Sequence, residues 1–134
     1  MDSLNSGCRR IRVLVADDSP VALRAVCEYL EFEGRFEIVG TASDGLSVVQ
    51  RAVILRPDLA VLDLSMPRLS GLEAAEKIRA MLPEIHLIVF SGLDDPVLEL
   101  ECKQRGADGY VRKNRMPEEL LDQVYELFPD HRKR

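Results

Sequence analysis

Cysteine is scarce and badly spaced for pairing: Cys8, Cys27 and Cys102 are odd in number, far apart and without a Cys-x-x-Cys motif. Neither a disulfide framework nor a zinc site is suggested, and a reducing, cytoplasmic compartment is expected. Long hydrophobic runs are missing as well. The first residues hold no apolar stretch of signal-peptide type, and no run approaches membrane-spanning length. Positive charge is short: 18 Lys and Arg stand against 23 Asp and Glu, a net charge of -5. The basic clusters Arg9-Arg10-Ile11-Arg12 and His131-Arg132-Lys133-Arg134 lie at the ends, so the body lacks the positive footprint of direct nucleic-acid binding. Repeats, low-complexity segments and interior linkers are absent too. What remains, 134 residues of which 46% are apolar, fits one domain with one core. Residues 1–10 read as a disordered leader, 11–128 as the domain and 129–134 as a basic C-terminal tail.

Within the domain, strand-like and helix-like stretches alternate. Ile11 to Ala16 is β-branched and runs into Asp17-Asp18-Ser19-Pro20, where Ser19 as N-cap and Pro20 in the first turn start a helix ending at Gly34. Phe36 to Thr41 forms the next strand. Ser43-Asp44-Gly45 opens a second helix with Leu46, Val49 and Val53 on one face, closing before Pro57. An apolar run then stops at Asp63. Ser70 with Glu73 three residues on is a capping box for a helix bearing Leu72, Ala75, Ile78 and Leu82, stopped by Pro83. Ile85 to Phe90 is a fourth strand, ended by Ser91-Gly92. Asp95-Pro96 starts the fourth helix, which Gly106 ends, and Gly109 to Arg112 leads to Lys113. Pro117-Glu118-Glu119 opens the last helix, with Leu120, Leu121, Val124 and Leu127. Five βα units imply an α/β fold: a parallel sheet with helices on both faces.

In such a sheet the carboxyl ends of the strands share one edge, which brings together Asp17, Asp18, Asp63, Ser91 and Lys113. Crowded carboxylates raise one another's pKa unless a cation neutralises them, and hard oxygen donors suit Mg²⁺. Lys113 and the Ser91 hydroxyl then suit an anion. A phosphoryl group fits, with Asp63 as the attacking carboxylate that becomes an acyl phosphate.

These residues resemble the response-regulator receiver domains of bacterial two-component signalling. The matching motifs are Asp17-Asp18, Asp63 with Met66-Pro67 and Gly71, Ser91-Gly92, and Gly106-Ala107-Asp108-Gly109-Tyr110 leading to Lys113. The resemblance implies a flavodoxin-like, doubly wound sheet of order 2-1-3-4-5. It implies that Asp63 accepts a phosphoryl group from a histidine kinase or phosphotransfer protein. Asp18, Asp63 and the Ser65 backbone carbonyl would bind Mg²⁺, with Asp17 acting through water, while Ser91 and Lys113 hold the phosphoryl oxygens. Tyr110 would be the aromatic that turns inward when the Ser91 hydroxyl moves. Leu93 and Ser65 flank the phosphoryl site, and Asn114 stands where many receivers have proline. The fourth helix, last strand and last helix would signal to a downstream protein or a fused output domain, with phosphorylation-dependent homodimers as a further partner state. No membrane association is expected.

Two other classes compete. A haloacid-dehalogenase-like phosphatase also forms an aspartyl phosphate, but its general acid would stand at Ser65, and the chain has no room for a substrate cap. A flavin or nucleotide module needs a glycine or hydroxyl cradle after the first strand, where this chain is acidic. The chain thus reads as a phosphoacceptor switch rather than a multiple-turnover enzyme. It stops after the last helix, so it is expected to be a stand-alone receiver or one excised from a transcriptional regulator. No catalytic or ligand role is expected for His86, and Cys27 and Cys102 read as small apolar residues in helices.

Overall fold

A computed structural model describes residues 9–131. Cys8, residues 132–134 and most of the expected leader lie outside the described residues. Five strands, β1 (Ile11–Ala16), β2 (Phe36–Ala42), β3 (Leu59–Asp63), β4 (His86–Ser91) and β5 (Gly109–Arg112), alternate with α1 (Pro20–Glu33), α2 (Gly45–Leu55), α3 (Gly71–Met81), α4 (Pro96–Gln104) and α5 (Glu118–Leu127). All strand pairs are parallel, in the order β2-β1-β3-β4-β5. Strand alternation sends Val13 and Val15 to the face covered by Val26 and Leu30 of α1 and Leu120 and Val124 of α5. Leu14 and Ala16 meet Val48 and Ala52 of α2, Ala75 and Ile78 of α3 and Cys102 of α4. β3 is central and buried at every residue. Among the described residues no helix is long and apolar enough to cross a membrane.

Local signals set the boundaries. The Ser19 hydroxyl accepts from Ala22 N at the start of α1, and Gly34 ends that helix at φ 89, in the left-handed region open to glycine. Both hydrogen bonds of the Ser70/Glu73 capping box are present. The apolar face of Leu46, Val49 and Val53 is not the buried one: Val48 and Ala52 are buried, Val49 is only partly covered, and Leu46 and Val53 are 41% and 38% exposed. Leu46, Val48, Val49, Ala52, Val53, Ile54 and Leu55 put apolar groups on more than one stripe, and the packing of α2 against β1, β2 and α3 decides which stripe is buried. The cis peptide among the described residues is Met116–Pro117, not Lys113–Asn114. Cys102 is buried and Cys27 half-buried, both free.

Three features bind the frame. β1 and β2 slip register between Val13 and Leu14, whose partners are Ile38 and Gly40, so Val39 bulges from the edge strand. Just before β3, Asp58 accepts from Arg9 Nη1 and Nη2, each at 2.9 Å, and from the Arg12 N–H at 2.9 Å. The Arg12 guanidinium in turn donates to the Leu55 and Arg56 carbonyls that end α2. Pro129–His131 forms a single 3-10 turn, with the His131 ring nitrogen 2.6 Å from Arg9 O.

Candidate phosphoacceptor and metal site

Parallel pairing carries the ends of β1 and β3 to one place, because Ala16 lies opposite Leu62 and the next residues on each strand are Asp17 and Asp63. Asp17 and Asp63 are 1% and 2% exposed, Asp18 is exposed, and oxygens of all three carboxylates lie within 4.8 Å of one another. Each buried carboxylate is held by a backbone N–H two residues on: Ser19 N donates to Asp17 Oδ1 at 2.9 Å and Ser65 N to Asp63 Oδ1 at 3.2 Å. The other oxygens face Lys113, whose Nζ lies 3.6 Å from Asp17 Oδ2 and 3.4 Å from Asp63 Oδ2. That ammonium also stands 5.3 Å from the centre of the Phe90 ring, a cation–π distance.

The charges are incompletely matched. Asp17 Oδ2 is buried without a hydrogen-bond donor. Burial pushes Asp63 up to a pKa of about 6; the Ser65 N–H opposes this, Asp17 adds to it and Lys113 lowers it. Two buried carboxylates share one ammonium, and a third waits at the rim. This donor set fits a hard divalent cation. Among the described residues it is the group of acidic, His and Cys side chains close enough to hold one.

The β3–α3 loop is anchored around Asp63. A Cβ on Gly71 would lie 2.2 Å from Asp63 O, so glycine is required where α3 begins against the end of β3. Gly71 N donates to Leu64 O, Gly45 N donates to Pro67 O, and Arg68 pairs with Asp44 at 3.0 Å. Ser65 is thereby fixed beside the acidic cluster, with its side chain exposed.

Ser91 and Tyr110 converge on one residue. The Ser91 Oγ accepts from Leu93 N at 3.0 Å, and the Tyr110 hydroxyl donates to Leu93 O at 2.7 Å. Tyr110, expected to turn inward on switching, already stands inside at 3% exposure. His86 lies at the amino end of β4, away from the site. Its Nδ1 is 3.7 Å from Asp108 Oδ2, a carboxylate that local sequence did not reveal, and its ring meets Phe128 edge-on. Sequence reasoning missed the Phe90 ring beside Lys113, the Asp44–Arg68 brace and the contacts of Arg112 with Glu119 and Asp94. Each of these joins elements with no periodic relation in the chain.

Residues 13–125 match the response regulator receiver domain. The chain belongs to the response-regulator receiver family. A protein-glutamate methylesterase/protein-glutamine glutaminase of Nocardioides sp. is 40% identical over 105 residues, 77% of this chain and 29% of that protein. The oxygen regulatory protein NreC of Staphylococcus epidermidis is 35% identical over 119 residues, 88% of this chain and 55% of that one. The CheX–CheY–BeF3–Mg²⁺ complex of Borrelia burgdorferi contains a chain with a TM-score of 0.83 at 25% identity, the match covering 90% of each. This receiver spans about a third to a half of the length of the curated relatives it matches: 33%, 53%, 29% and 55% for the first four.

Proposed function

We propose that this receiver accepts a phosphoryl group on Asp63 from a phosphohistidine of a histidine kinase or phosphotransfer protein in the cytoplasm. It then signals through the α4-β5-α5 face to a downstream protein, a fused output domain or a second copy of itself. The observation that carries this reading is the buried Asp63 carboxylate, with one oxygen held by the Ser65 N–H and the other beside Lys113. With a pKa near 6 it is mostly ionised at neutral pH and able to attack phosphorus. An O–P bond forms, the N–P bond of the donor breaks, and the imidazole leaves with the electron pair. Lys113, freed from Asp63 as that oxygen is esterified, and the Ser91 hydroxyl then hold the phosphoryl oxygens. Mg²⁺, bound by Asp18, Asp63 and the Ser65 carbonyl with Asp17 through water, would offset the charge on those oxygens.

Switching follows from the shared partner of Ser91 and Tyr110. When the Ser91 hydroxyl turns to a phosphoryl oxygen it releases Leu93 N, while Tyr110 keeps its hold on Leu93 O, so the β4–α4 loop rearranges about a fixed point. Phosphorylation acts as a ligand that favours one arrangement of that loop. With Ser65 where a dehalogenase-type phosphatase has its acid, the acyl phosphate lacks a dedicated route to fast hydrolysis. The domain is therefore a switch rather than a phosphatase. Incubation with Mg²⁺ and acetyl phosphate should label wild type once and leave Asp63→Asn unlabelled. Multiple turnover of ordinary phosphomonoesters would overturn the reading.

A further inference from the structure

Arg112 ends β5 immediately before Lys113. Its Nη2 lies 2.6 Å from Glu119 Oε2, its Nε donates to Glu119 Oε1 at 3.3 Å, and the same Oε1 accepts the Arg112 N–H at 2.9 Å. In the other direction Nη1 donates to Asp94 Oδ1 at 3.2 Å, on the β4–α4 loop. One guanidinium thus joins α5, the end of β5 and the loop that carries Leu93.

The two arms are unequal. The Arg112 and Glu119 side chains are 26% and 18% exposed, whereas Asp94 is 67% exposed. A sheltered two-pronged pair reinforced by a backbone bond holds its geometry. A single contact to a solvated carboxylate is weak and is screened by salt. Glu119 moreover grips both the backbone and the side chain of the residue that precedes Lys113, so it fixes the strand end from which Lys113 reaches the acidic pair.

We propose that Arg112 is a positioning residue that sets Lys113 through its hinge on Glu119 and ties that setting, through a weak catch on Asp94, to the place of the β4–α4 loop. The inference rests on the reading of Lys113 and Ser91 as phosphoryl ligands. Movement of the loop with Ser91 breaks the Asp94 contact and spares the Glu119 pair, so the strength of the catch sets how readily the loop follows the phosphoryl.

The first test needs no phosphoryl analogue. Amide hydrogen exchange at Leu93, Val97 and Leu98 should quicken about two- to five-fold in Asp94→Asn, the scale of an exposed ion pair. High salt should quicken it likewise in wild type and add nothing in Asp94→Asn. In the second test, with Mg²⁺ and beryllofluoride, Asp94→Asn should bind the analogue about two- to five-fold more tightly, since less is lost in freeing the loop. That gain should vanish in an Arg112→Gln background. Glu119→Gln should bind more weakly, and so should Arg112→Lys, which keeps the charge and loses the fork. Unchanged exchange in Asp94→Asn, or an Asp94→Asn gain that persists in Arg112→Gln, would overturn the proposal. If Arg112→Gln fails to fold, the exchange and salt measurements on Asp94→Asn still decide it. A wild type that binds no beryllofluoride would sink the phosphoacceptor reading instead, and the exchange arm would remain informative about the catch.

Discussion

Asp58 and Asp63 stand at opposite ends of β3, one immediately before the strand and one as its last residue, and their surroundings could hardly differ more. Burial alone would raise Asp58, but the two prongs of Arg9 and the Arg12 N–H outweigh it and hold the carboxyl below its usual range. Burial raises Asp63 to a pKa of about 6 and the neighbouring Asp17 adds to the rise, because the single Ser65 N–H and a shared lysine do not outweigh them. The amino edge of the sheet saturates its acids with donors; the carboxyl edge leaves them wanting. Asp108 follows the first pattern, accepting from both Leu87 N and Arg79 through one oxygen. A saturated acid pins the frame, and an unsaturated one keeps its affinity for a cation and an electrophile.

The contrast breaks most sharply at the carboxylate proposed to take the phosphoryl group. Asp63→Asn should lose phosphoryl uptake altogether by acid-stable or mobility-shift labelling, while Asp58→Asn should retain it. Next in size, Asp18→Ala should weaken Mg²⁺ at least on the order of tenfold, the scale even of outer-shell losses. Calorimetric titration should find a smaller loss for Asp17→Ala. Stability should then move in opposite directions at the two ends. Asp58→Ala strands the Arg12 N–H and frees Arg9, costing about 1–3 kcal/mol in denaturant melts.

Asp63→Asn should instead stabilise the metal-free protein near pH 7, by an amount on the order of 1–3 kcal/mol. A raised folded pKa means that Asp63 favours the fold fully below its unfolded value and loses that contribution as pH rises through about 6. The Asn variant carries no such loss, so the gap between the two melts should open between pH 4 and pH 7. A gap that closes over that interval would show the carboxylate to be better satisfied than its neighbours indicate. The smallest effect concerns coupling. Ser91→Ala should still take the phosphoryl on Asp63 but lose the amide shifts expected of wild type with beryllofluoride across Asp95 to Gln104 and Gly109 to Leu121.

Much of this was legible in the chain because its signals are local. Proline and glycine punctuate each βα unit, Ser70 and Glu73 write their own cap, and the apolar run of β3 stops at Asp63, at the carboxyl edge of the sheet. Asp17, Asp63 and Lys113 could be brought together by topology alone, since parallel strands deliver their ends to one edge. Other features were not written locally. Leu46 and Val53 have the spacing of an inner face, yet α2 is apolar on several sides, and its packing against the sheet and α3 chooses among them. The Asp44–Arg68 brace and the reach of Arg112 to Asp94 and Glu119 join positions on separate elements. Tyr110 stands inside because its hydroxyl finds the Leu93 carbonyl, a backbone group that no side-chain pattern announces.

The slipped register between β1 and β2 has a consequence beyond the site. An edge strand with regular pleat is a template onto which another chain can add a strand, and β2 is such an edge on one side of the sheet. Here Val39 bulges out of step, and the Arg51 guanidinium takes the Thr41 carbonyl. The opposite edge, β5, is only four residues long. Among the described residues neither border offers a long, regular row of free amides and carbonyls, so two copies meeting in solution would have little to gain from extending the sheet.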